Sequence, residues 1–189
     1  MPRITSLAIA ALVVASCGGA ATPSPNSAAP TRAGGAATSA QTPPPSPSAE
    51  ATTAVVELEK GGSFTIQLRR DKAPKTVDRF AGKARSGFYN GLKFHRVEDW
   101  VVQGGDPLGN GTGGGRVASE YNDLAFEIGA VGVARGNDPA FNNDSQFFVV
   151  KKSARWLDNQ YTNFGQVTAG MDVVNAIQVG DKIKSVKID

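Results

Sequence analysis

A break in composition near residue 53 confines folding to the second part of this chain. Of its 189 residues, the first 53 carry charge only at Arg3, Arg32 and Glu50 and hold eight of the eleven prolines, whereas 18 of the 22 glycines come later. Residues 18–53 are largely Ala, Pro, Ser, Thr and Gly and end in Thr42-Pro-Pro-Pro-Ser-Pro-Ser48. Without apolar periodicity or aromatic residues, such a stretch cannot offset the entropy of being ordered, and it reads as a flexible, partly polyproline tether. Residues 54–189 are long enough for one hydrophobic core and carry 18 basic and 16 acidic residues with no dense basic run. A nucleic-acid partner is therefore not implied, and the Lys151, Lys152 and Arg155 cluster reads as solvated surface.

The chain's start reads as an export signal. Behind Arg3, residues 4–15 are apolar; twelve residues at about 1.5 Å each cover only some 18 Å, too little for a bilayer core of about 30 Å. Small residues then lead to the only cysteine, in Val14-Ala15-Ser16-Cys17. This sequence resembles the bacterial lipobox, with Val14 where leucine is usual. The resemblance implies cleavage after residue 16, a lipid on Cys17, and a place in the bacterial cell envelope on a membrane face outside the cytoplasm; ordinary secretion is the alternative. The expected organisation is a signal peptide over 1–16, a lipidated cysteine and tether over 17–53, and a folded domain over 54–189. A lone thiol forms no intramolecular disulfide, so that domain must stand on packing.

Within it, residues 54–58 and 64–68 form a hairpin signal, with Phe64, Ile66 and Leu68 alternating toward one face. Pro74 opens a helix that places Val77, Phe80, Ala81 and Ala84 on one stripe before Gly87 stops it. Short apolar runs follow at 92–97, 100–104, 130–134, 146–150, 164–168 and 183–188, with a second helix over 171–177. Eight short strands and two helices predict a mainly β fold: a closed, eight-stranded antiparallel barrel capped by two α-helices.

Hydrolytic and metal chemistries lack their residue sets. His95 is the only histidine, which excludes multi-histidine metal sites and leaves any Ser-His-Asp triad dependent on one residue that reads as structural. Residues 109–115 are glycine-rich, yet no Gly-Lys-Ser/Thr ending follows, so they read as a tight, mobile surface loop. The loop over 136–144 holds acidic and amide oxygens without calcium-loop spacing and reads as an edge loop.

What remains is Phe94-His95-Arg96, Gln103-Gly104-Gly105-Asp106, Ser145-Gln146-Phe147-Phe148 and Trp156-Leu157-Asp158, followed by Phe164-Gly165. In this order and spacing the blocks resemble the cyclophilin family of prolyl isomerases, a match that also takes in 87–91, 110–114 and 170–174. From residue types alone, Arg96 reads rather as a surface strand residue with a salt bridge, and Trp100, Phe148 and Leu157 as core. The resemblance implies an eight-stranded barrel with two helices, Arg96 as catalytic arginine and Gln103 as the glutamine that orients it. It further implies a proline pocket of Trp100, Val101, Phe148 and Leu157, a neighbouring groove lined by Ala134, Arg135 and Gln146, and a rim at Trp156. Proline-containing polypeptides are the implied partners and no cofactor is required; nothing in the sequence indicates an oligomer, so a monomer is expected.

Three features depart from the family pattern: the residue at Tyr161, the stretch from Arg96 to Trp100, and a 136–144 loop beside the groove that reads as lengthened. Tyr161 stands where many members have a histidine at the groove's edge, and Trp100 replaces a phenylalanine. The segment between Arg96 and Trp100 is one residue shorter, Val97-Glu98-Asp99 in place of a turn containing Pro-Gly. A narrower pocket is expected, and binding of the family's cyclosporin-type inhibitor stays open. An isomerase is one expectation; a module that holds proline segments with little turnover is the other, and retention of both Arg96 and Gln103 favours the enzyme.

Overall fold

The computed structural model describes residues 52–189. The export signal, Cys17 and the tether up to residue 51 lie outside the described residues, and Thr53, assigned to the tether, begins the first strand. The first two strands, β1 (Thr53–Leu58) and β2 (Ser63–Leu68), bury Ala54, Val56 and Leu58 and then Phe64, Ile66 and Leu68, the period-two pattern of strands with one face on the core. Gly61 and Gly62 turn the chain between them with φ of 93° and 87°, values that a side chain would strain.

Helix α1 (Pro74–Arg85) buries the expected Val77, Phe80, Ala81 and Ala84. Its first turn carries no acidic residue of its own, and the carboxylate of Glu120 takes that place by accepting the backbone N–H groups of Lys75 and Thr76 at 3.0 and 2.8 Å. At the other end, the N–H of Gly87 bonds Ala84 and that of Phe88 bonds Lys83, with Gly87 at φ 72°, a Schellman ending.

The chain continues through β3 (Phe94–Val97), β4 (Val101–Gly104), β5 (Arg116–Ala118), β6 (Ala130–Val133), β7 (Phe141–Asn143), β8 (Phe147–Val150), a 3₁₀ turn (Arg155–Leu157), β9 (Asn163–Ala169), α2 (Met171–Asn175) and β10 (Ile183–Ile188). Eight strands form one antiparallel sheet in the order β10-β1-β2-β9-β6-β8-β4-β3. Its ends meet through a bridge between Lys93 and Lys182, supported by backbone bonds such as Phe94 N–H to Asp181. The expected mainly β, eight-stranded fold with two helices is present. Helix α2 is shorter than the expected 171–177, and β5 pairs with β7 in a small second sheet that the sequence did not suggest.

Strands β6 and β8 are buried at all four positions. Phe147 and Val149 point into the barrel core with Val131 and Val133, whereas Phe148 and Val150 point out to a second apolar cluster with Val101, Phe126, Ala130, Ala154 and Leu157. A strand covered on both faces loses the polar alternation of an exposed one. The outer cluster is the floor on which the candidate site stands.

Candidate active site

Strand register brings the key residues into one row. Arg96 on β3 pairs with Gln103 on β4, Gln103 with Phe148 on β8, and Phe148 with Gly132 on β6. A bulge between Phe94 and Arg96 adjusts the register at the head of the row.

At one end of the row, the Arg96 guanidinium donates from Nη1 to Gln103 Oε1 at 3.4 Å and from Nε to Glu98 Oε1 at 2.7 Å. The second carboxylate oxygen of Glu98 accepts the indole N–H of Trp100 at 2.8 Å. Arg96 also lies over the Trp100 ring, 5.5 Å from its centroid. Gln103 donates from Nε2 to Gln146 Oε1 at 3.0 Å, and Gln146 donates in turn to the carbonyls of Gly111 and Gly113 at 3.1 and 2.8 Å. Each amide thus has one orientation that satisfies its neighbours.

Those carbonyls sit on the glycine-rich loop, which is tied down where a mobile segment was expected. Asp106, almost fully buried, accepts the backbone N–H groups of Leu108, Asn110 and Gly111. Burial alone would raise the Asp106 carboxyl pKa, but these three donors outweigh it and hold it below the ordinary aspartate value.

Beside the arginine is a cavity of about 430 Å³ lined by Trp100, Val101, Ala134, Arg135, Phe148, Leu157 and Tyr161 together with Arg96 and Gln103. Phe148 stacks on the buried Phe126 at 5.6 Å between centroids, and Tyr161 meets Phe148 edge-on at 6.0 Å. Asp158 holds Phe126 in place by accepting its backbone N–H at 2.8 Å. Trp156 is 58 % exposed and packs edge-on against Trp100. Arg135 lies over Tyr161, 4.6 Å from the ring centroid, and donates to the carbonyls of Gln160 and Gly136.

One expected groove residue sits differently. Gln146 is only 2 % exposed, so it supports Gln103 from beneath and does not line the groove. The backbone N–H of Ala134 donates to Gln146 and its carbonyl accepts from Asn143, so both groups are engaged inside the protein. His95, Asn110 and Gly111, by contrast, do line the cavity and were not anticipated there. Glu98 was likewise not anticipated as the partner of Arg96 and Trp100.

A family model described as "Cyclophilin type peptidyl-prolyl cis-trans isomerase/CLD" matches residues 53–189. This chain belongs to the cyclophilin family. Among curated relatives it is similar to the peptidyl-prolyl cis-trans isomerase-like 1 of Homo sapiens, 42 % identical over 123 residues that cover 61 % of this chain and 74 % of the relative. The like-named protein of Rhizopus delemar is 41 % identical over 119 residues, covering 60 % and 72 % of the two chains. A cyclophilin type peptidyl-prolyl cis-trans isomerase of Cryptosporidium parvum, solved in the presence of the dipeptide Ala-Pro, shares the fold with TM-score 0.67 and 24 % identity over 72 % of this chain and 98 % of its own. In this cyclophilin Trp100 and Glu98 adjoin Arg96 at one corner of the cavity, and Tyr161 stands against Phe148 and Arg135 at another.

Proposed function

We propose that this cyclophilin accelerates cis-trans rotation about Xaa-Pro bonds in exported or envelope polypeptides, with Arg96 as its catalytic residue. An amide resists rotation because resonance stiffens its C–N bond, with a barrier of about 18–20 kcal/mol and exchange at proline over tens to hundreds of seconds. No bond has to break. In the twisted transition state the proline nitrogen becomes pyramidal and regains its lone pair, so a cation donating to that nitrogen binds the transition state more tightly than the ground state.

Arginine suits this task because it stays charged and presents a planar fork of donors. Two of its nitrogens, Nε and Nη1, are held by protein acceptors while the rest of the fork reaches substrate. A charge-assisted hydrogen bond contributes about 1.5–3 kcal/mol, worth roughly 10- to 150-fold in rate. The apolar pocket of Trp100, Val101, Phe148 and Leu157 supplies the remainder by fixing the proline ring where water is excluded, an environment that favours the less charge-separated twisted amide. The observation that carries this reading is the single cross-strand row that sets Arg96, held by Gln103, beside Phe148 at the floor of the cavity.

The exported location rests on the sequence: an apolar signal, Cys17 in a lipobox-like setting, and a tether that would hold the domain away from the membrane. Mass spectrometry of the mature N-terminus tests it, since a diacylated Cys17 is expected and an unprocessed Met1 would refute it. The activity is tested by NMR exchange spectroscopy on an Xaa-Pro peptide with the protein at substoichiometric concentration. Faster cis-trans exchange is expected; binding without faster exchange would leave a module that only holds proline segments.

A further inference from the structure

The turn between β3 and β4 is short, and one side chain reaches both of its functional ends. The Glu98 backbone N–H closes the turn on the Val101 carbonyl at 2.8 Å. Its carboxylate then takes the Nε–H of Arg96 on one oxygen and the Nε1–H of Trp100 on the other. Both donors would otherwise have to find water, and each is the donor that fixes its ring or fork in plane.

We infer that Glu98 is a positioning residue of the isomerase, locking Arg96 and Trp100 into one unit that aims the arginine's remaining N–H groups at the proline nitrogen. The inference rests on the catalytic reading of Arg96 given above. Three arguments carry it. An arginine side chain has many rotamers, and the Gln103 contact is long, at 3.4 Å on one Nη atom; a single long bond does not fix a planar group. The 2.7 Å contact at Nε adds a second point on a different edge of the guanidinium, so that two contacts fix its plane and Nη2 is left for substrate.

The second argument is chemical pairing. Trp100 introduces an indole N–H at the mouth of the proline pocket, where phenylalanine would introduce none, and Glu98 is its acceptor. The tryptophan and the glutamate thus work as one unit, with the carboxylate ordering the turn between β3 and β4. The third is exposure. The side chains of Arg96 and Glu98 are 44 % and 43 % exposed, and ion pairs this open contribute little to folding. The value of the contact must therefore appear in activity. The neighbouring Asp99 does not compete for Arg96, because it pairs with Lys152 on the other side of the turn.

Glu98→Gln is the decisive variant. It keeps the size of the side chain but has one acceptor oxygen for two donors, so its NH₂ must face either Arg96 Nε–H or Trp100 Nε1–H. In a protease-coupled assay on an Xaa-Pro peptide, kcat/KM is expected to fall roughly fivefold with an unchanged melting temperature. In a Trp100→Phe background the amide oxygen is free for Arg96, and the same change is expected to cost less than about twofold. Equal or greater activity for Glu98→Gln, a loss that tracks a lowered melting temperature, or the same loss in both backgrounds would each overturn the inference. Arg96→Ala in parallel separates the two levels: if it is inactive while Glu98→Gln is normal, only the role of Glu98 fails, and if it is fully active, the reading of Arg96 fails with it.

Discussion

Gly132 lies directly across the β6–β8 ladder from Phe148, and a Cβ on it would stand 2.3 Å from the tip of that ring and 2.7 Å from Phe126. The floor of the cavity thus exists because β6 has no side chain at this point. The position's demand is purely steric, since any side chain there enters space already filled by two stacked rings.

Gly132→Ala is accordingly expected to overpack the outer cluster, costing about 1–3 kcal/mol of stability, and to push Phe148 into the cavity. Urea unfolding together with kcat/KM on an Xaa-Pro peptide checks this. In a Phe148→Ala background the same Gly132→Ala change should cost less stability, because the methyl group then has room, while activity stays low because the pocket has lost its floor.

His95 predicts a pH dependence. Neither ring nitrogen has a protein hydrogen-bond partner, and burial pushes its pKa below the ordinary 6.5, with Lys93 and Arg96 pushing the same way and Asp106 opposing them. The unfolded chain then takes up a proton at a higher pH than the folded one. Stability is therefore unaffected well above pH 6.5 and falls as the pH drops through 6.5 toward the lower folded value. Comparing denaturant unfolding at pH 7.5 and 5.5 should show this loss in the natural protein and a smaller one in His95→Gln. The carboxylate contributions fall in a separate window: Asp106, held below 3.8, stabilises the fold above that value and loses its effect as the pH falls further.

The fold was legible in the sequence wherever periodicity was strong. The β1–β2 hairpin and the stripe of α1 stood at their expected positions because each presents one face to the core and the other to water. Strands β5 and β7 were missed because three-residue strands such as Arg116–Ala118 carry too few positions to show a period. The site was legible in its blocks rather than in its network. Arg96, Gln103 and Phe148 lie in separate segments, and only strand register makes them neighbours. The burial of Gln146 and the tying down of the glycine-rich loop were not readable, since both depend on the Asp106 carboxylate folding back on its own backbone.

That carboxylate yields a further expectation. Asp106→Asn replaces an acceptor of three N–H groups by an amide whose NH₂ must face donors, which should cost about 1–3 kcal/mol and free the 107–113 loop. Hydrogen exchange at Leu108, Asn110 and Gly111 should quicken, and Gln146, having lost fixed carbonyls, should hold Gln103 less firmly. Protection factors unchanged at those three amides would show that the loop is ordered by something else.

The central claim, that Arg96 performs the isomerisation, is tested most directly by NMR exchange on an Xaa-Pro peptide with the Arg96→Ala protein. Arg96 is exposed and its contacts are polar, so the variant should fold with a melting temperature within a few degrees of the natural chain. Its kcat/KM is expected to fall by about 10- to 150-fold. Undiminished exchange from a fully folded Arg96→Ala protein would contradict that claim.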